Sequence, residues 1–279
     1  SAASDVYKRQ AVKMTGSGSK ILEKFNLDLP SFIKFGLVRR FEENFYKEIR
    51  NCYGSFNYIY SMHETVDALT VLKLFSSIKV KSAVMFQSGL SYNLPELALF
   101  LRFFKQLLTT NNIRGILLPS PAPLFETPQL LTLIKPQNVR VEIVFPGNAI
   151  DNELLRYKST SKFPYTATFF GRLCREKGIF DIIKAWSIIE QNKPDAKLYL
   201  IGSFSSKRLH RSVKKMAKKY GLKNMIYIGY LTREELYSTV SKFSILMYPS
   251  YRDSYPLSVL EALAMGLIVV TYNIPAIKF

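Results

Sequence analysis

The 279-residue chain is 48% hydrophobic and 14% aromatic, which excludes a disordered polymer and allows core enough for two domains. Its 39 Lys and Arg against 21 Asp and Glu leave a net charge of +18, with +7 in residues 1–160 and +11 in 161–279. That excess favours anionic partners (nucleotide phosphates, acidic lipid or nucleic acid) without choosing among them.

In chain order, residues 1–10 read as translated vector or adapter sequence and residues 15–19 as a flexible Gly/Ser stretch. Residues 30–50 carry a helical pattern, with Pro30 suited to a first turn. Strand-like segments at 58–61, 83–87, 116–119 and 139–145 then alternate with helices at 65–76 and 95–109, which predicts a parallel α/β sheet. Pro146-Gly147-Asn148 and the polar stretch after it mark a domain boundary. A second alternation follows, with strands at 166–170, 197–201, 225–228, 244–248 and 268–271. The helix 179–189 places Ile179, Ile182, Ile183, Trp186 and Ile189 on one face. The chain stops just after a strand and starts without an obvious first one, so both ends read as truncated. Cys52 and Cys174 supply no disulfide framework and no metal spacing and fit a reducing, cytoplasmic setting. The longest uncharged run, 262–277, is interrupted by Gly266, Asn273 and Pro275, so no segment reads as membrane-spanning.

Two motifs carry chemistry. Phe170-Gly-Arg-Leu-Cys-Arg-Glu-Lys-Gly178 joins a strand to a helix, with Gly171 allowing a tight exit and Arg172 and Lys177 flanking the turn. Such a pair can neutralise a departing pyrophosphate, or can be no more than a basic surface loop. In Pro249-Ser-Tyr-Arg-Asp-Ser-Tyr-Pro-Leu-Ser-Val-Leu-Glu261, seven residues separate the carboxylates of Asp253 and Glu261 across a loop-to-helix turn. The first turn of a helix attracts anions, so carboxylates placed there suit hydroxyl groups rather than phosphate. Phosphates and hydroxyls together describe a sugar nucleotide. The plainer alternative is a solvated aspartate and a first-turn glutamate. The basic run 207–219 has Leu209, Val213, Met216 and Tyr220 at helical spacing, so it reads as an amphipathic helix with a solvated charged face. No nucleic-acid-binding signature accompanies it, and nucleic acid is not expected as a partner.

Gly171-Arg172-Leu173 with Lys177-Gly178, Leu200-Ile201-Gly202, Ile228-Gly229-Tyr230 and the 249–266 block resemble the C-terminal domain of glycosyltransferase family 4. The resemblance implies an α/β GT-B fold of two Rossmann-like domains facing a cleft. Residues 11–150 would form a partial acceptor-side domain, and 161–279 a donor-side domain lacking its closing helix. It implies a retaining transferase that moves a sugar from a nucleotide-sugar donor to a hydroxyl of a glycan, lipid-linked or small acceptor. Arg172 and Lys177 would bind the donor diphosphate, Glu261 the ribose hydroxyls and Asp253 the transferred sugar. Gly171 and backbone amides of Tyr255, Leu257 and Ser258 would face phosphates or sugar, and Gly229, Tyr230 and Leu231 would lie beside the base. The acidic position often occupied by Glu is Asp253, which withdraws the charge by one methylene. Where many members carry a histidine in the first domain, the candidates are Gln87 and His63. Gln cannot act as a base near neutral pH. No cofactor or metal ion is expected. The alternative is a non-catalytic basic protein of the same fold that binds a membrane surface or nucleic acid. Phe32, Phe35, Arg39, Arg40 and Phe41 fit either peripheral contact with the acidic inner membrane face or an ordinary amphipathic helix.

Overall fold

Strand-length apolar segments separated by amphipathic ones cannot pair as hairpins, so each strand must be followed by a crossover that returns to the same end of the sheet. The structure, a computed structural model, describes residues 51, 58–61, 66–74, 80–86, 94–110, 113–144 and 152–278. Gln87, His63, the expected helix at 30–50 and the sequence before it lie outside the described residues. The chain divides into two units at Phe145/Pro146.

The first unit contains β1 (Tyr58–Ser61), α1 (Val66–Leu74), β2 (Lys81–Met85), α2 (Leu94–Thr109), β3 (Ile113–Leu118), α3 (Ala122–Glu126), α4 (Pro128–Ile134) and β4 (Arg140–Ile143). All four strands are parallel and lie in the order β1-β2-β3-β4. On α2, Phe100, Phe104, Leu107 and Leu108 recur at helical spacing and are closed to solvent. Phe86, just after β2, meets Phe104 edge-on at 5.5 Å, and Phe100 stacks on Phe104 at 5.6 Å. The sequence pattern does not mark α3 and α4, because Pro121, Pro123 and Pro128 read as loop punctuation. In the structure each helix has proline in its first turn, where a missing N–H costs nothing.

The second unit runs α5 (Asn152–Leu155), β5 (Thr166–Phe170), a 3-10 turn (Arg175–Lys177), α6 (Ile179–Asn192), β6 (Lys197–Ile201), α7 (Lys207–Lys219) and β7 (Met225–Gly229). It continues through α8 (Arg233–Val240), β8 (Ile245–Tyr248), α9 (Leu257–Ala264), β9 (Ile268–Thr271) and α10 (Pro275–Lys278). Its five parallel strands lie in the order β7-β6-β5-β8-β9. The chain therefore reverses direction across the sheet between β5 and β8, and the carboxyl ends there are where open α/β sheets place ligands. β5 is buried at every position, as a central strand covered on both faces must be.

Two expected core positions differ. Ile189 is 38% exposed while Ile179, Ile182, Ile183 and Trp186 are buried. At roughly 100° per residue, the buried stripe runs from Ile182 to Ser187, and Ile189 lies about 20° beyond Ile182, at its edge. Tyr220 is 37% exposed because it caps α7 and the chain turns away at Gly221; Ala217 is buried on that face instead. The charged face of α7 carries Lys207, Arg208, Arg211, Lys214, Lys215, Lys218 and Lys219, all exposed, as expected of a solvated face. Four helical residues follow β9, where the sequence reads as ending after a strand. Among the described residues no helix is long and apolar enough to cross a membrane.

Trp186 is 2% exposed, and its indole nitrogen has no hydrogen-bond partner among the described residues. Trp186→Ala is therefore expected to cost about 3–5 kcal/mol of unfolding free energy, and Trp186→Phe clearly less, in urea titrations followed by circular dichroism. His210 stacks on Phe204 at 4.3 Å and meets Tyr227 at 5.1 Å. Burial first, and then Lys214, pushes its imidazole below the usual value. The unfolded chain thus takes up a proton before the folded one as pH falls below about 6.5, and stability declines there. His210→Gln should flatten that part of the stability–pH curve.

Candidate active site

The site forms at the carboxyl ends of β5, β6, β7 and β8. Gly171, Gly202 and Gly229 terminate three adjacent strands with φ of 134°, 125° and 92°. The Gly171 amide donates to the Ile201 carbonyl at 3.0 Å, and the Gly202 amide to the Gly229 carbonyl at 2.7 Å. A Cβ on Gly202 would lie 1.9 Å from the Gly171 carbonyl oxygen, so no side chain fits there. The bare ends at Gly171 and Gly202 floor a cavity of about 660 Å³.

A second close approach builds the cavity wall. Gly178, with φ of 71°, lies so near Pro249 that a Cβ would come within 2.0 Å of its carbonyl oxygen. The Tyr251 amide donates to the Glu176 carbonyl at 2.9 Å, and Ser250, fully buried, bonds the Arg252 carbonyl at 2.8 Å. The turn after β5 and the loop after β8 are thus sewn together. Their functional side chains meet as a result: Lys177 Nζ lies 2.5 Å from Asp253 Oδ2, both largely withdrawn from water at 17% and 15% side-chain exposure. Tyr248 completes the group, its hydroxyl accepting from Lys177 at 2.9 Å and donating to Asp253 at 2.6 Å. Asp253 also takes the Ser254 amide at 3.0 Å through its other oxygen.

Arg172 is 68% exposed and reaches only a 4.0 Å contact with Glu176, an exposed pair of little strength. Across the cavity, Glu261 Oε1 accepts from the Tyr237 hydroxyl at 2.8 Å, and Arg233 Nε donates to that hydroxyl at 3.1 Å. Glu261 is the fifth residue of α9, so it stands in the second turn rather than the first. Burial, followed by the neighbouring carboxylate, pushes the hydroxyls of Tyr237 and Tyr248 well above the usual tyrosine range; both remain proton donors. Cys174 lies between the two basic residues but is 4% exposed, and burial raises its thiol, which makes it a poor nucleophile.

Of the residues expected from sequence, Gly171, Arg172, Lys177, Tyr230, Leu231, Asp253, Tyr255, Leu257, Ser258 and Glu261 line this one cavity. Gly229 stands behind it, its carbonyl bound to Gly202. The Leu257 amide donates to the Tyr255 carbonyl at 3.0 Å, so this amide is turned into the loop. The expectation of separate basic and acidic pairs also changes, because Lys177 and Asp253 are bonded to each other. Sequence reasoning missed Arg233, Tyr248 and the 203–205 segment in the lining, and Tyr237 beside it. One usable signal was the Thr232-Arg-Glu-Glu235 capping box, which starts α8 and puts Arg233 and Tyr237 at i and i+4. Among the described residues no cluster of three His, Cys, Asp or Glu could hold a metal ion.

Several known proteins resemble this chain. Residues 151–278 match the family described as glycosyl transferases group 1. The chain is 28% identical over 102 residues to an uncharacterized glycosyltransferase, YqgM, of Bacillus subtilis, an alignment covering 36% of this chain and 28% of that protein. Among solved structures, sucrose-phosphate synthase from Thermosynechococcus elongatus superposes with a TM-score of 0.67 at 18% identity, covering 88% of this chain and 62% of the other. The pneumococcal O-GlcNAc transferase GtfA, solved with UDP and GlcNAc, gives a TM-score of 0.63 at 15% identity over 83% of this chain and 45% of its own. The fold is the α/β GT-B fold of glycosyltransferases, with two parallel sheets. The chain spans less than a third of that curated relative and under two thirds of either solved protein.

Gly202→Ala should destabilise the second unit by more than Gly221→Ala. Both glycines have positive φ, but a Cβ at Gly221 meets nothing within 4 Å. Left-handed strain alone is about 1–2 kcal/mol. Thermal unfolding of the two variants side by side measures the excess due to the Gly171 contact and the wider φ of Gly202, 125° against 69°, together.

Proposed function

We propose that this chain is the donor-binding part of a glycosyltransferase that uses a nucleotide-sugar and transfers its sugar, with retention, to a hydroxyl acceptor. The observation that carries the proposal is the division of one cavity into a cationic wall, Arg172 and Lys177, and an acidic wall at Glu261, over two side-chain-free strand ends, Gly171 and Gly202. The diphosphate would lie over those glycines, where backbone can approach it closely. Glu261 would accept from the ribose hydroxyls and Asp253 from hydroxyls of the transferred sugar. The matching family and the UDP complex of the structural neighbour GtfA support this reading.

Lys177 is bonded to Asp253 in the structure. A bound diphosphate would compete for Lys177 Nζ and draw it from Asp253, freeing that carboxylate for the sugar. In the transfer, the bond from the anomeric carbon to the diphosphate oxygen breaks and the acceptor oxygen bonds that carbon on the same face. The acceptor proton is released. Arg172 and Lys177 would stabilise the negative charge that builds on the departing diphosphate, a contribution that grows in a site shielded from water. The chemistry so described uses no metal and no cofactor. The alternative of a non-catalytic basic binding protein draws on α7, with seven Lys and Arg and no acidic residue.

Titration of the chain with UDP- and GDP-sugars separates the two. Saturable binding that Glu261→Gln weakens at least tenfold is expected; no saturable binding favours the second reading. In a transfer assay, Lys177→Met should lower turnover by about 100-fold, the effect of losing one transition-state donor. It also strands Asp253 without its cation, so its melting temperature must be recorded beside its rate. Transfer at the wild-type rate would remove the part assigned to Lys177.

A further inference from the structure

Asp253 and Glu261 come from different elements, yet each meets the hydroxyl of a buried tyrosine. Tyr248 Oη lies 2.6 Å from Asp253 Oδ2, and Tyr237 Oη lies 2.8 Å from Glu261 Oε1. Tyr248 and Tyr237 are 4% and 2% exposed. Their rings are clamped: Tyr248 stacks on Phe169 at 5.9 Å, and Tyr237 is held edge-on by Tyr157 at 5.7 Å with Arg233 over its face at 5.4 Å. Two fixed phenols therefore hold two carboxylates facing the same cavity.

We propose that Tyr237 and Tyr248 are positioning residues, Tyr237 orienting Glu261 for the nucleoside end of the donor and Tyr248 orienting Asp253 for the sugar. The proposal rests on the functional reading above. An ionised carboxylate offers about four acceptor sites, so a bond from a tyrosine restricts its rotation and occupies only one of them. A phenol does this without neutralising the charge, which a lysine or arginine would do. The distinction matters most at Asp253. Lys177 bonds both Asp253 and the Tyr248 hydroxyl, so it holds the carboxylate only until a phosphate claims its ammonium group. Tyr248 has no such competitor and keeps Asp253 in place after Lys177 has turned to the diphosphate. Tyr237 stands the same way behind Glu261, with Arg233 Nε donating to its oxygen and directing its proton towards the carboxylate.

A purely structural part, in which the carboxylates only satisfy buried phenols, predicts a different outcome from Tyr→Phe replacement. Phenylalanine keeps the ring and its packing and removes one oxygen. The affinities of the full chain for UDP, UDP-glucose, GDP and GDP-mannose, measured by calorimetry, give the test. Tyr237→Phe is expected to weaken a nucleoside diphosphate and its sugar conjugate alike, by about tenfold, the worth of one hydrogen bond to a charged group. Tyr248→Phe should leave the nucleoside diphosphate within about twofold and weaken the sugar conjugate by about tenfold. The Tyr237→Phe/Glu261→Gln double variant should bind no more weakly than Glu261→Gln alone, because the tyrosine acts through the glutamate. Unchanged affinities in both variants, equal losses for every ligand in both, or additive losses in the double variant overturn the proposal while the functional reading stands. A wild-type chain that binds none of the four ligands overturns the functional reading and the proposal together.

Discussion

The site depends on one steric constraint: the turn after β5 lies against the loop after β8. With Gly178 at φ of 71° and a Cβ there only 2.0 Å from the Pro249 carbonyl, nothing larger than glycine allows the contact. That approach carries Lys177 and Asp253, 76 residues apart in sequence, to within 2.5 Å. The pair is largely withdrawn from water, so its two charges depend on each other: removing either strands the other, at a cost of about 3–5 kcal/mol for a fully buried pair and less at this residual exposure. On the proposed reading, a phosphate that takes Lys177 must replace what Asp253 gives up, which links stability to ligand recognition.

The strand order supplies the space for it. Because β6 and β8 flank β5 on opposite sides, the connections after β5 and β8 run in opposite directions across the sheet, and open α/β sheets place their ligand crevice at that point. Glycines at the ends of β5 and β6 keep the crevice floor free of side chains. The two carboxylates of the wall stand on α9 and on the loop between β8 and α9, each bonded to a buried tyrosine. On the proposed reading the bare floor would admit a pyrophosphate and the braced carboxylates would accept from hydroxyls, beside an Arg172 that is 68% exposed.

Much of this was legible in the sequence. The nine described strands followed from apolar runs between amphipathic segments, and the glycine at 171 marked a turn where the structure has positive φ. The motif residues of both loops line one cavity, as local strand–loop–helix logic implies. Helices α3 and α4 were not legible, because their prolines serve as first-turn residues only where the chain continues into a helix. The ends of amphipathic faces, at Ile189 and Tyr220, also escaped: angular drift and a terminating cap decide exposure there, and periodicity counts neither.

The sequence by itself determined the elements and the chemical types at the site, because helix and strand periods, turn glycines and side-chain acidity are local properties. Only the tertiary structure decided which groups are partners. It joined Lys177 to Asp253 and placed Tyr248 and Tyr237 behind the two carboxylates. It also turned the Leu257 amide inward, away from the ligand position that the motif suggested. Hydrogen bonds between residues tens of positions apart depend on ångström-scale distances set by strand order and by two glycine contacts, and no spacing along the chain encodes those distances.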